Sequence, residues 1–151
     1  MGLRHARHRF MPNVLVFPGG RVDRADHCAK AVSELPAFTR ACLERQAPPS
    51  LARALGIAAA RELEEETGYR PERMVSLGWV HPNPAWQNNR QHLFLAHGCV
   101  QIHQGKLDEG EDIRVERVER DGLSERVISG EITHESVLAL LYRESLQRRE
   151  S

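Results

Sequence analysis

From Leu51 to Thr67 the chain holds one helix-forming run, and its far end packs four glutamates into five residues, Glu62-Leu63-Glu64-Glu65-Glu66. Leu51 to Ala60 is rich in strong helix formers. Ser50 is the expected N-cap and Gly68 the expected stop. Leu55, Ala59 and Leu63 recur four residues apart and predict the stripe that faces the core, with Ala52 and Ala60 permitting close contact. Side chains three and four residues apart share a helical face, so Glu62, Glu65 and Glu66 converge while Glu64 points elsewhere. Three like charges on one face repel. A hard divalent cation reverses that penalty, because magnesium and manganese take carboxylate oxygens and bridge to phosphate.

A plainer reading needs no cation. Arg61 pairs with Glu65 one turn on, and the other glutamates face water as they do on many surface helices. The glycine turn upstream favours the functional reading. Val14-Leu15-Val16-Phe17 is an apolar run expected to be a strand, within a buried segment from Asn13 to Phe17, and Pro18-Gly19-Gly20 stops it. Adjacent glycines let a backbone approach a ligand closely.

Together these segments resemble the Nudix hydrolase family. Its signature is glycine, five residues, glutamate, seven residues, then Arg-Glu-apolar-x-Glu-Glu-x-Gly-apolar. Arg61, Glu62, Leu63, Glu65, Glu66, Gly68 and Tyr69 fill the second half. Counting from Gly20, Asp26 stands where the family has glutamate, and residues 27 to 60 separate it from Arg61. The Phe17-Pro18-Gly19-Gly20-Arg21-Val22-Asp23 lead and the long spacer resemble a subgroup with coenzyme A diphosphatase relatives. Asp108 to Val115 and Gly130-Glu131-Ile132-Thr133 resemble the ADP-ribose pyrophosphatase branch.

The resemblance implies an α/β fold, an α/β/α sandwich around a mixed sheet, with or without its N-terminal strand. The 151 residues suit one domain, with an insertion at about 27 to 50 inside the signature. Pro36, Pro48 and Pro49 punctuate that insertion. Ala37 to Gln46 predicts a short helix whose Phe38 and Leu43 seek apolar cover, packed over or beside the site as a flap, or else a solvent-facing elaboration. Family members begin with a strand ahead of the position of Arg9. The edge its loss would expose leads us to expect a homodimer.

Further on, Met74 to Val80 and Gln91 to His97 predict strands, as does the strict alternation of Ile113 to Val118. Thr133 to Arg148 predicts the last helix, with Val137, Leu138 and Leu141 inside. Trp79 is assigned to the core. Trp86, in the loop from Ala85 to Arg90, is placed to stack on a base or to pack as a lid, and Arg90 to meet a phosphate or to lie on the surface. His92 and His97 fall on opposite faces of one strand and make no ligand pair, whereas His81 and His134 are candidates to face the cleft.

Basic and acidic residues number 21 each, so bulk charge attracts neither nucleic acid nor an anionic membrane. No stretch approaches the length of a membrane-spanning helix, and the basic first residues lack the apolar core of a secretion signal. Cys28, Cys42 and Cys99 form no close pair for zinc and read as free thiols of a cytoplasmic protein.

The resemblance implies that Glu62, Glu65 and Glu66, with the carbonyl of Gly19, hold Mg2+ or Mn2+. It also implies that Glu111, or Glu109 after it, adds a ligand or base from a facing loop. Glu62 or Glu66 is a candidate to act as base in place of pure ligation, which spacing does not decide, and Arg61 is expected to orient the carboxylates. The expected activity is metal-dependent hydrolysis of a small nucleoside diphosphate derivative such as ADP-ribose. A non-catalytic nucleotide-binding module that retains the fold is the alternative.

Overall fold

The computed structural model describes residues 1–4, 15–31, 33, 35–105 and 113–150. Its elements are strands β1 (Gly2–Arg4) and β2 (Leu15–Val16), helices α1 (Ala37–Glu44) and α2 (Pro49–Thr67), and strands β3 (Tyr69–Arg70), β4 (Arg73–Val80), β5 (Gln91–His97), β6 (Val100–Gln101) and β7 (Ile113–Val115). Helices α3 (Leu123–Ile128) and α4 (Glu135–Glu150) close the chain. Strands and helices together give the α/β fold expected of the Nudix resemblance, and every described pairing is antiparallel.

The first residues are more than a basic leader. β1 lies between β2 and β7, pairing Gly2 with Val16 and with Val115. The Met1 ammonium and carbonyl both bond to the Glu116 backbone, at 2.8 and 2.7 Å. The N-terminal strand position is therefore occupied, and the edge that suggested a homodimer has a strand of this chain on it. Leu15 beside β1 joins Ile132 and Val137 in a buried cluster, with Phe17, Leu123, Val127 and Leu141 packed around it.

α2 starts two residues earlier than expected. Pro49 occupies its first turn and Pro48 precedes it, so no Ser50 side chain caps the helix. Proline suits that position because its missing N–H would have had no partner there. Gly68 ends the helix in the left-handed conformation at φ 76°, as the sequence predicts. The buried face carries Ala52, Ala54, Gly56, Ile57, Ala58 and Ala60, while Leu55, Ala59 and Leu63 are only half-buried. The expected stripe is thus not the covered one: the helix's own small residues are the buried ones, and Leu35 presses closest at Gly56, where there is no side chain.

The insertion supplies one of those neighbours. Leu35 lies so close to Gly56 that a Cβ there would overlap its side chain. α1 packs on α2 and β4, burying Leu43 at 1% exposure, whereas Phe38 stays 66% exposed and gains no cover. Where the β4–β5 register shifts between Ser76 and Gly78, the buried Thr39 hydroxyl accepts the Ser76 N–H at 3.2 Å. On the same bulge Arg143 of α4 donates to the carbonyls of Leu77 and Trp79 at 2.8 and 3.2 Å. The irregular backbone is satisfied from both sides.

α4 begins two residues later than the sequence suggests because His134 caps it. Its Nδ1 accepts the Ser136 N–H at 3.3 Å, and its carbonyl accepts from Val137 and Leu138. β7 ends at Val115, three residues short of the alternating pattern. All three cysteines are free. Among the described residues, no helix is long and apolar enough to cross a membrane.

Candidate active site

Two segments far apart in sequence meet at the acidic end of α2. The turn after β2 brings Gly19 within reach of Glu66, and the Gly19 N–H donates to Glu66 Oε1 at 3.3 Å. Next to it, a Cβ on Gly20 would overlap the Glu62 carboxylate, whereas one on Gly19 would meet nothing within 4 Å. Only glycine lets the backbone come this close to Glu62 at position 20.

Arg61 ties the same two segments together. Its Nε and Nη2 reach Asp26 Oδ1 and Oδ2 at 3.0 and 3.2 Å, and its Nη2 also donates to the Arg21 carbonyl at 3.1 Å. On the other side Nη1 bonds Glu65 at 2.8 Å and lies 3.0 Å from Glu62. Asp26 sits in a short 3-10 turn, Ala25–His27, and is 1% exposed. Burial pushes its carboxyl up, but the Arg61 bond and the Asp23 N–H at 2.7 Å outweigh it and hold it below the ordinary 3.8. The Asp26 bond is also the main reason that Arg61 is held yet more firmly protonated.

The helix-surface pair of Arg61 and Glu65 is thus present, as one strand of a wider network. Glu64 points away, as spacing requires. Arg70 grips it at 2.8 and 3.1 Å and, as the main cause, keeps its carboxyl below the ordinary range.

One face of α2, carrying Leu55, Ala59, Glu62 and Leu63, forms a wall of a cleft of about 1670 Å3. Gly19, Gly20, His81, Trp86, Arg90, His92 and His134 also line it. The half-buried Leu55, Ala59 and Leu63 therefore look onto this space. No residue of α1 lines it, so the insertion is a buttress behind α2 rather than a flap.

Trp86 is 85% exposed at the cleft. Trp79 is not a core residue. It is half-buried, with the Arg90 guanidinium 4.4 Å from its ring centroid and the His81 ring edge-on at 4.8 Å. Arg90, a candidate for phosphate, is engaged by that ring. His92 Nδ1 is buried without a hydrogen-bond partner, and burial lowers the pKa of the ring.

Glu109 and Glu111 lie outside the described residues. The chain leading to them passes Gly105, where a Cβ would stand 2.9 Å from the Glu66 carbonyl. Among the described residues, no three His, Cys, Asp or Glu side chains are gathered as a metal ion would need. The donors nonetheless suit a hard cation, since Glu62, Glu65 and Glu66 offer carboxylate oxygens beside a glycine turn. Arg61 is among the partners of Glu62 and Glu65, and the Gly19 amide among those of Glu66.

Sequence reasoning missed the partners that hold the turn: Asp23, the Arg21 carbonyl, and Arg53, which donates to the carbonyls of His27 and Ala29 at 3.3 and 2.5 Å. Asp23 and Asp26, three apart, carried the one local signal, that of a side-chain-capped turn.

A family model described as the NUDIX domain matches residues 54–141. The match takes in the stretch from Arg61 to Tyr69, and it starts after Gly19, Gly20 and Asp26. No curated protein matches the chain.

Proposed function

This chain belongs to the Nudix hydrolase family, and on that premise we propose that it cleaves the diphosphate linkage of a nucleoside diphosphate derivative such as ADP-ribose, with a divalent metal. The family acts on nucleoside-diphosphate-linked compounds and generally uses divalent metals such as Mg2+. The observation that carries the reading for this chain is the closure of the Gly19–Gly20 turn on Glu66 and Glu62 across the insertion. It rebuilds beside the helix the half of the signature that the long spacer interrupts.

In this reading Glu62, Glu65, Glu66 and the Gly19 carbonyl hold Mg2+ or Mn2+, with Glu111 added from the facing loop. Such a cation supplies charge relief at phosphoryl oxygens and a bound water of lowered pKa. Glu62 or Glu66 accepts the proton of the attacking water. Arg61 is a positioning residue: fixed by Asp26 at one end, it presents Glu62 and Glu65 at the other. Trp86 offers an exposed ring on which a nucleobase stacks.

The test is a hydrolysis screen against ADP-ribose, coenzyme A, NADH, dinucleoside polyphosphates and modified nucleoside triphosphates, each with magnesium and with manganese. Metal-dependent release of a nucleoside monophosphate from one of the diphosphates is expected. Nucleotide binding with no turnover across the whole panel would identify the non-catalytic module instead.

A further inference from the structure

Glu66 meets the Gly19 amide at its carboxylate, and a second segment bears on the same residue from the backbone side. Residues 102 to 105, just after β6, lie against the C-terminal end of α2. The Ile102 and His103 N–H groups both donate to the Gly68 carbonyl, at 2.9 and 3.4 Å. A Cβ on Gly68 would overlap the His103 carbonyl. One on Gly105 would stand 2.9 Å from the Glu66 carbonyl and 3.4 Å from that of Glu65.

The last turn of an α-helix is its loosest, because its carbonyls have no partner further along the helix. Glu65 and Glu66 stand in that turn, two residues and one residue before the final Thr67. Their side chains keep one geometry only if the backbone beneath them is fixed. The segment from Ile102 to Gly105 supplies that support, and His103 sets its bend. Its Nδ1 accepts the Gly105 N–H at 2.9 Å, closing a turn over two residues. An accepting Nδ1 carries no proton, so in the neutral ring the hydrogen sits on Nε2, which lies 3.9 Å from Glu64 Oε1. Contacts therefore run from His103 through Gly105 to the Glu66 backbone, and from the Glu66 carboxylate to Gly19.

We propose that His103 is a positioning residue for the cation site: through Nδ1 it fixes Gly105 against the backbone of Glu65 and Glu66, and so holds their carboxylates for a divalent metal. The inference rests on the reading of these glutamates as metal ligands. It adds to that site a residue that touches neither metal nor substrate.

The test is titration of the full chain with Mn2+, the free ion being measured by electron paramagnetic resonance, beside thermal melts. His103→Leu removes the acceptor and should weaken Mn2+ binding about threefold to tenfold, the worth of one neutral hydrogen bond. Its melting temperature without metal should change little, since the side chain is 38% exposed. His103→Asn should bind Mn2+ like the wild type, because an asparagine Oδ1 accepts an N–H two residues on. Asparagine would not replace a histidine that merely filled space or faced Glu64. Should His103→Leu fail to fold, Gly105→Ala keeps the imidazole and sets a methyl group 2.9 Å from the Glu66 carbonyl, at a φ of 81°. It should weaken Mn2+ binding at least as much.

Wild-type Mn2+ affinity in folded His103→Leu or Gly105→Ala overturns the proposal, as does a folded His103→Asn as weak as the leucine variant. So does a wild type that binds no Mn2+. Titration needs no turnover, so the two readings fail separately. A protein that passes these tests yet hydrolyses nothing in the screen rejects the hydrolase and keeps the brace.

Discussion

The guanidinium of Arg61 meets the carboxylate of Asp26 edge to edge, with Nε–Oδ1 at 3.0 Å and Nη2–Oδ2 at 3.2 Å. A shorter aspartate in place of the signature's glutamate still reaches the arginine, because the 3-10 turn brings its backbone near the helix.

Removing that carboxylate leaves Arg61 without its buried partner. Asp26→Ala is expected to cost about 3 kcal/mol in urea denaturation, the lower end for a broken buried pair since Arg61 is partly exposed. The folded protein holds Asp26 below its ordinary 3.8, so its contribution is complete above that value and is lost as pH falls through the folded one. Asp26→Asn should therefore flatten the acid limb of the stability curve.

Gly19 and Gly20 make a matched pair. Gly20→Ala places a methyl group in the Glu62 carboxylate, which is the far end of a flexible side chain, so the cost in stability should stay near or below about 1 kcal/mol. Displacing Glu62 should lower kcat by roughly tenfold to a hundredfold. Gly19→Ala meets open space and should change kcat little. Steady-state kinetics beside thermal melts decides between them.

Glu65→Gln and Glu66→Gln test the assigned metal ligands. Each should reduce turnover by about a hundredfold or more with an unchanged circular dichroism spectrum. Wild-type rates in both variants would remove the metal assignment.

Trp86→Ala takes away an 85% exposed ring and should leave the melting temperature unchanged. If a nucleobase stacks there, KM rises about tenfold at constant kcat. An unaltered KM would place the base elsewhere.

His92 sets a pH dependence near neutrality. Burial first, and Arg90 second, hold its ring below the ordinary 6.5. The unfolded chain therefore takes up a proton more readily than the folded one, and stability should fall as pH drops below about 6.5. His97, also held below its ordinary value by burial first, adds to the same slope, so His92→Leu should reduce it without abolishing it while retaining stability at pH 8, as read by chemical denaturation across pH.

What the sequence makes legible is local. Gly68 as the helix stop, the outward turn of Glu64, β4 and β5 all follow from backbone preference and periodicity over a few residues. What it conceals depends on partners distant along the chain. The alanines of α2 offer no single apolar face, so only Leu35 and α1 reveal which side is covered. Trp79 looks like core until Arg90 is found above it. Three residues are too few for β1 to show a period, and its strand character comes from β2 and β7 on either side. At the site, the pairing of Arg61 with Glu65 one turn on could be read directly, whereas the bonds from Arg61 back to Asp26 and Arg21 needed the fold.

The docking of α1 behind α2 has an evolutionary consequence. Lengthening the connection between Asp26 and Arg61 from seven residues to 34 adds only about 1.4 kcal/mol of closure entropy. Leu43 and Leu35 find burial or close contact in return. Mutations along the outer side of this segment can therefore alter robustness without entering the cleft, which no residue of α1 lines.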